Sequence, residues 1–449
     1  MKQLPLISRS NFDQVWIYTT TDQLTVGEVL HYARTLSLQL PEKQYCFLLC
    51  EQRVNFIIGF LAAIWRGQTV LLPPDRSLDV LQSLIIDYPD SCRLIDTDES
   101  VDNGINEEFG QADAVRYSYD HATPGAINEI PLINASHLAC LVFTSGTSGK
   151  PNANAKFWGD LVQGAGLQQR CFGFCAKDYL VATVPPQHMY GLETTVLLPM
   201  YCEASVYGGM PFFPEDIRQA LALSARPATL ITTPFHLRVC VQAKLSWPAM
   251  RQIYSATAPL SGEDAGRAET VFGTGLTEIY GSTESGAIAF RKTIDEQEWH
   301  LYDEVRLLDD DGAMRVIARH LPHRPQLADK IEPVDEESFL MYGRSSDMIK
   351  IAGKRASLAD LNLKLNLIPG VDDGVFVQAD MASKDVSRLN AVVVAPELSK
   401  HDLIRILAQQ IDPVFLPRQV FKVDALPRNK TGKLPHAEMK DLLTKLMDR

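Results

Sequence analysis

Val142-Phe143-Thr144-Ser145-Gly146-Thr147-Ser148-Gly149-Lys150-Pro151 reads as a short apolar strand running into a loop of small residues and hydroxyls with one cation. Gly146 and Gly149 admit φ > 0 and close backbone approach, so successive N–H groups can form an anion-binding nest. Thr144, Ser145, Thr147 and Ser148 add hydroxyl donors, and Lys150 adds a mobile charge. A phosphate chain is the ligand such a donor set fits. The spacing is not that of a Walker A loop: residues 146–151 lack GxxxxGK[ST], and Pro151 has no N–H where a helix would begin. An ordinary Ser/Gly surface turn has the same composition.

Four further stretches follow in order. They are Pro185-Pro186-Gln187-His188-Met189-Tyr190-Gly191, Tyr280-Gly281-Ser282-Thr283-Glu284-Ser285, Tyr342-Gly343-Arg344-Ser345-Ser346-Asp347-Met348-Ile349-Lys350 and Leu426-Pro427-Arg428-Asn429-Lys430-Thr431-Gly432-Lys433-Leu434. With the loop, these five motifs span about 290 residues, and in that order the chain resembles the adenylate-forming superfamily of acyl- and aryl-CoA synthetases, peptide-synthetase adenylation domains and luciferases. The resemblance implies an α/β fold in two domains. Residues 1–343 would form a large N-terminal domain of mostly parallel sheets with flanking helices and a β-hairpin region. Residues 344–348 would be a hinge, and 349–449 a small mobile α/β domain carrying the lysine loop. The implied activity is ATP-dependent activation of a carboxylic acid to an acyl-adenylate with release of pyrophosphate, then transfer to a thiol.

The same resemblance assigns roles residue by residue. The loop 144–149 and Lys150 lie on the phosphates. Tyr280 lies by the adenine, with Gly281 and Ser282 also binding the nucleotide, Thr283 by the α-phosphate, and Glu284 with Thr144 by Mg²⁺. Ala256 and Ala258 stand where the family places a Gly-Ala-Pro segment along the adenine, although the glycine is absent here. Asp329 is placed on the ribose hydroxyls, a task suited to a carboxylate with two acceptor oxygens; Ala328 replaces the usual glycine before it. His188 shapes the carboxylate pocket, Arg344 reaches the nucleotide, Lys433 is the catalytic lysine, and Ser346 stands at the pivot, where the family has Asp or Lys. Gly353-Lys354-Arg355 would line the thiol channel. Asn152 departs from the Lys-Gly that usually follows the proline, and either Lys150 or Lys156 is available to replace that lysine.

At 449 residues the chain is long enough for two or three domains with buried cores. Hydrophobic content of 46% and charged content of 22% are those of a globular chain. A formal net charge of −12 argues against nucleic acid or an anionic membrane surface as the main partner. Eight cysteines occur without CxxC or zinc-ligand spacing, and Cys46, Cys50, Cys171 and Cys175 sit in apolar or aromatic company. They read as buried free thiols of a reducing cytoplasm. The longest apolar run, residues 56–65, is too short to span a bilayer.

Periodicity predicts helices over 25–40 and 54–65, with short strands at 46–50 and 69–72. The alternation continues with 80–86 and 93–95, as βαβ units on a parallel sheet require. Residues 97–131 are acidic and turn-rich, and read as a surface connection. A helix over 156–167 would back the phosphate loop. Residues 179–184, 230–233 and 253–256 read as strands with loops at their ends, so His188 leaves a strand's carboxyl end, where open α/β sheets bind ligands. Residues 299–340 read as hairpins, with a turn at 309–312. Ser357 with Asp360 resembles a capping box opening a helix, and a last helix begins at His436.

Because the acid and the α-phosphate are both anions, fixed cations and N–H dipoles are the main catalytic need. Lys433, Thr283, the loop and Mg²⁺ on Glu284 would supply them. The expected acid is aryl or medium acyl, and the first reading for the thiol is CoA, with a carrier protein's phosphopantetheine as the alternative. Monomer and homodimer both stay open. An inactive nucleotide-binding homologue is the reading from another class.

Overall fold

The structure is a computed structural model and describes residues 2–96, 113–144, 151–344, 348–351, 354–378, 389–428, 434 and 436–447. Two sheets organise the larger part. The first has six strands in the spatial order Asn152–Phe157, Leu138–Thr144, Thr69–Leu72, Tyr45–Leu48, Ser91–Asp96 and Ala114–Tyr117. All its pairings are parallel except the first, an antiparallel hairpin. The second has eleven strands. Its centre is a parallel run from Leu276–Ser282 through Met250–Ser255, Ala228–Thr232, Tyr179–Ala182 and Ser205–Tyr207 to Val15–Tyr18. Antiparallel strands finish both edges: Gln23–Thr25 on one side, and Gly286–Arg291, Trp299–Leu301, Ser338–Arg344 and Asp329–Pro333 on the other.

Local chemistry explains the elements. Thr25 and Glu28 form a reciprocal capping box at the start of the helix Val26–Gln39, whose Val29, Leu30, Ala33 and Leu36 are buried. The helix Arg53–Arg66 is buried almost all round and stops at Gly67 with φ 85°. A left-handed residue there costs a glycine nothing. In the hairpin Arg306–Asp310/Ala313–Ile317, Asp311 and Gly312 both take positive φ, the turn that matches the strands' twist.

Four expectations are corrected. Residues 152–157 are a strand, and the helix begins only at Trp158 (Trp158–Phe172). The register Lys156↔Cys140 and Asn154↔Val142 continues the hairpin beyond the phosphate loop, and these pairings override the polar composition. Ala114–Tyr117 adds a parallel edge strand within a stretch read as connection. At Ser357 no capping hydrogen bond forms; the hydroxyl is buried without a partner, and a Cβ on Gly343 would lie 3.0 Å from it. Six of the cysteines are buried, but Cys175 is exposed and Cys171 only partly covered.

The smaller part has its own core. Asp373–Gln378, Leu389–Val394 and Val420–Lys422 form a three-stranded sheet, and Leu361, Leu365, Phe376, Leu403 and Leu407 pack on it in a cluster separate from the others. Met439 and Leu443 of the final helix His436–Met447 cover Val392 and Leu426. Among the described residues no helix is long and apolar enough to cross a membrane.

Two buried arginines bind main chain. Arg53, 0% exposed, donates to the carbonyls of Ala182 and Val184 at 2.9 and 3.0 Å and to Thr195 Oγ1 at 2.6 Å. Arg9 donates to Pro199 O, Ala204 O and Glu203 O at 2.7–2.9 Å. Among the described residues neither forms an ion pair with a carboxylate.

Candidate active site

Several of the described motif residues stand at or near the carboxyl ends of parallel strands. Thr144 closes one strand of the first sheet, and the loop 145–150 lies outside the described residues. On the second sheet, Tyr179–Ala182 leads to His188, Met250–Ser255 to Ala256 and Ala258, and Leu276–Ser282 carries Tyr280, Gly281 and Ser282. Carboxyl ends of parallel strands are where such sheets bind ligands.

Tyr280 is the anchor of its segment. The ring is buried, 5.6 Å from Trp299 and 5.8 Å from Phe339 between centroids, and its hydroxyl donates to Asp329 Oδ2 at 2.7 Å. Asp329 opens the strand Asp329–Pro333, opposite the backbone of Arg344, whose side chain lies outside the described set. A Cβ on Gly281 would lie 2.2 Å from Gly286 O, so only glycine lets the two strands close here. Ser282 and Ser285 tie the next turn, with Ser285 N donating to Ser282 Oγ at 3.1 Å. Thr283 is partly covered, and Glu284 is exposed.

Below that turn sit two ionisable groups. Lys156, buried, donates from Nζ to the carbonyl of Glu284 at 3.0 Å. Glu193 accepts from Ala287 N at 3.0 Å. Burial pulls the ammonium down and pushes the Glu193 carboxyl up to about 7, while each opposes the other's shift by attraction. Sequence reasoning missed Glu193. The available signal was a carboxylate inside the otherwise uncharged run 189–200.

Glu278 ties the adjoining segments. It accepts from Leu260 N at 3.1 Å, Thr293 Oγ1 at 2.7 Å and Arg291 Nε at 2.8 Å, so the loop 256–259 is fixed to the Tyr280 strand. Within that loop Thr257 holds φ 81°, a left-handed conformation unusual for a β-branched residue. His188 caps the short helix Met189–Leu192, its carbonyl accepting from Leu192 N at 2.8 Å. A Cβ on Gly191 would meet Pro185 O at 2.1 Å, which lets the His188 loop fold back on its strand.

Ser346, Gly353 and Lys433 lie outside the described residues. Lys354 opens the strand Lys354–Ser357 and pairs with Asp412 at 2.5 Å. At the base of the lysine motif, Arg428 reaches Asp373 through two nitrogens, Nε to Oδ2 at 2.5 Å and Nη2 to Oδ1 at 2.6 Å.

A family profile described as AMP-binding enzyme matches residues 28–316, well over half of the chain. The chain belongs to the AMP-binding enzyme family. Among curated members of known name, it is 26% identical over 327 residues to a 4-coumarate–CoA ligase of Halorhodospira halophila, covering 69% of this chain and 78% of that one. It is also 23% identical over 221 residues to a medium-chain-fatty-acid–[acyl-carrier-protein] ligase of Moorena producens, covering 45% and 37%. Against three other curated CoA ligases the chain spans 64–66% of the relative's length. The fold matches O-succinylbenzoate coenzyme A synthetase of Bacillus subtilis in complex with AMP, with TM-score 0.80 at 17% identity over 96% of each chain. Membership makes this an adenylate-forming enzyme with the two-domain α/β architecture of its family.

Magnesium suits the donors of this AMP-binding enzyme. No group of three or more metal-ligating side chains occurs among the described residues. Mg²⁺ needs only one or two carboxylates when substrate phosphates supply the rest, and the exposed Glu284 offers one.

Proposed function

We propose that the protein joins an aryl or medium acyl carboxylic acid to a thiol in two half-reactions. In the first, a carboxylate oxygen of the acid attacks the α-phosphorus of ATP, the bond to the β-phosphate oxygen breaks, and pyrophosphate leaves. In the second, a thiol sulfur attacks the acyl carbon and AMP leaves. Asp329 holds the ribose, oriented by Tyr280. Thr283, the loop 144–150, Arg344 and Lys433 meet the phosphate oxygens where charge develops, and Ala256 and Ala258 border the adenine. His188 shapes the acid pocket without acting as nucleophile. Mg²⁺, held by Glu284 and Thr144, neutralises phosphate charge when bound.

The turn 280–285 carries this reading. A buried tyrosine bonded to a carboxylate and an exposed glutamate on a pinned turn, at the ends of parallel strands, are more than a structural bend requires. The domain limits follow the same scheme: 1–343, a hinge at 344–348 pivoting on Ser346, and 349–449 rotating between half-reactions.

CoA is the first reading for the thiol, since the relatives matched over most of their length are CoA ligases. A carrier-protein phosphopantetheine is the second, favoured by the acyl-carrier-protein ligase among the relatives. The test is ATP–pyrophosphate exchange across a panel of aryl and acyl acids, then thioester formation with CoA or holo-carrier protein. Acid-dependent exchange supports the reading. ATP binding without exchange for any acid would support the inactive homologue instead.

A further inference from the structure

Lys156 lies outside every motif, yet it is buried and its Nζ reaches the carbonyl of Glu284 in the turn assigned to the nucleotide. Its strand register explains why. In the hairpin Asn152 faces Thr144, Asn154 faces Val142 and Lys156 faces Cys140, so all three share one face of the sheet. Val142 and Cys140 belong to the large core cluster between the sheets, and Lys156 follows them inward, whereas Asn152, at the position where the family keeps its lysine, is exposed. Lys156 is 8% exposed as a residue and its Nζ donates to a carbonyl, which leaves it badly placed for a phosphate in solvent reach.

The turn it supports is held at two points. Lys156 Nζ takes the carbonyl of Glu284, and Glu193 takes the amide of Ala287, three residues on. Between them Gly286 holds φ 68°, and a Cβ there would lie 2.3 Å from Glu193 Oε1, so the carboxylate reaches the turn only because the position is glycine. The two charges attract through a poorly solvated layer that also contains Asp160 and His320. Loss of the Glu284 carbonyl as a partner would leave the buried Lys156 ammonium without that acceptor.

We propose that Lys156 and Glu193 are a pair of positioning residues, gripping the turn 284–287 from inside so that the exposed Glu284 carboxylate is presented at a fixed place to the metal of a bound metal–ATP complex. Lys156 thereby takes over, from behind the turn, support that the motif position Asn152 cannot give. The proposal rests on the nucleotide-site reading above.

The experiment measures Mn²⁺ binding to the full-length protein in the presence of ATP, with amide exchange of the peptide 281–288 read alongside. Lys156→Met is expected to weaken Mn²⁺ about tenfold, to leave metal-free ATP binding within twofold, and to raise exchange in 281–288 but not in 250–255. Glu193→Gln is expected to give a smaller loss of the same kind, and Lys156→Met/Glu193→Gln to be no worse than Lys156→Met alone. Lys156→Arg, which keeps the charge, is expected to recover most of the Mn²⁺ affinity. Unchanged Mn²⁺ affinity and unchanged exchange in Lys156→Met overturn the proposal. If that variant fails to fold, wild-type values in both Glu193→Gln and Lys156→Arg overturn it equally. If the wild type binds no ATP, the nucleotide-site reading fails, and the exchange in 281–288 alone decides whether the pair grips the turn.

Discussion

Tyr280 Oη and Asp329 Oδ2 are 2.7 Å apart, although 49 residues separate them in the chain. This hydroxyl therefore helps to orient the acid assigned to the ribose. Removing it should act on binding, because ribose contacts are much the same in ground and transition states. Tyr280→Phe is expected to raise the KM for ATP about tenfold, the worth of a hydrogen bond to a charged group, with kcat within about twofold. Asp329→Ala should cost more, and the double variant no more than Asp329→Ala. Pyrophosphate exchange at varied ATP measures all three; an unchanged KM in Asp329→Ala would place the ribose elsewhere.

Lys433 belongs to the first half-reaction. Lys433→Ala is expected to slow adenylation by about 10²–10³-fold, the range for losing a donor aimed at developing charge. Thioester formation from supplied acyl-adenylate should persist. Arg428→Met should give a weaker loss in the same step, because the two-point bond to Asp373 anchors the root of that loop. Equal damage to both steps by Lys433→Ala would remove the assigned role.

Thr257 stands at φ 81° in the loop proposed to border the adenine. Strain of this kind costs on the order of 1–3 kcal/mol in a β-branched residue, and glycine relieves it at some entropic cost. Thr257→Gly is expected to raise unfolding stability by about 1 kcal/mol in urea titration. A loss of stability would mean that the threonine side chain makes contacts outweighing the strain.

His236 is 2% exposed, its Nδ1 lies 3.0 Å from Thr233 Oγ1, and burial lowers its pKa to about 4. An unfolded histidine titrates near 6.5, so between those values the unfolded state binds the extra proton. The stability this group contributes is present above about pH 6.5 and is lost as pH falls through about 4. From pH 7 to pH 5 the loss is about 2 kcal/mol. His236→Gln should flatten this acid limb, and denaturant titration at the two pH values reads the difference.

Motif order carried the fold class into view, because glycines, hydroxyls and charges at the ends of predicted strands are local signals. Helix limits followed capping and apolar spacing, as at Thr25 and Glu28. What stayed hidden was pairwise. The strand 152–157 is polar by composition and becomes a strand through its hairpin partner. Ser357 with Asp360 has the spacing of a cap, yet the packing of Gly343 against the serine takes the hydroxyl away from the helix. Tyr280 was legible as a site residue; its bond to Asp329 was not, since nothing local joins residue 280 to 329. The same holds for Lys156 under Glu284.

Arg53 has a consequence for any attempt to divide the molecule. Its helix belongs to the first sheet's layer, but the carbonyls that accept its protons end a strand of the second, 129 and 131 positions later. A fragment stopping near residue 140 would lose the acceptors Ala182, Val184 and Thr195 of Arg53 and uncover the apolar surface around it, and one starting there would lack Val15–Tyr18, the neighbour of Ser205–Tyr207. Split-protein halves cut between the two sheets are therefore expected to be insoluble alone and to recover structure only when produced together.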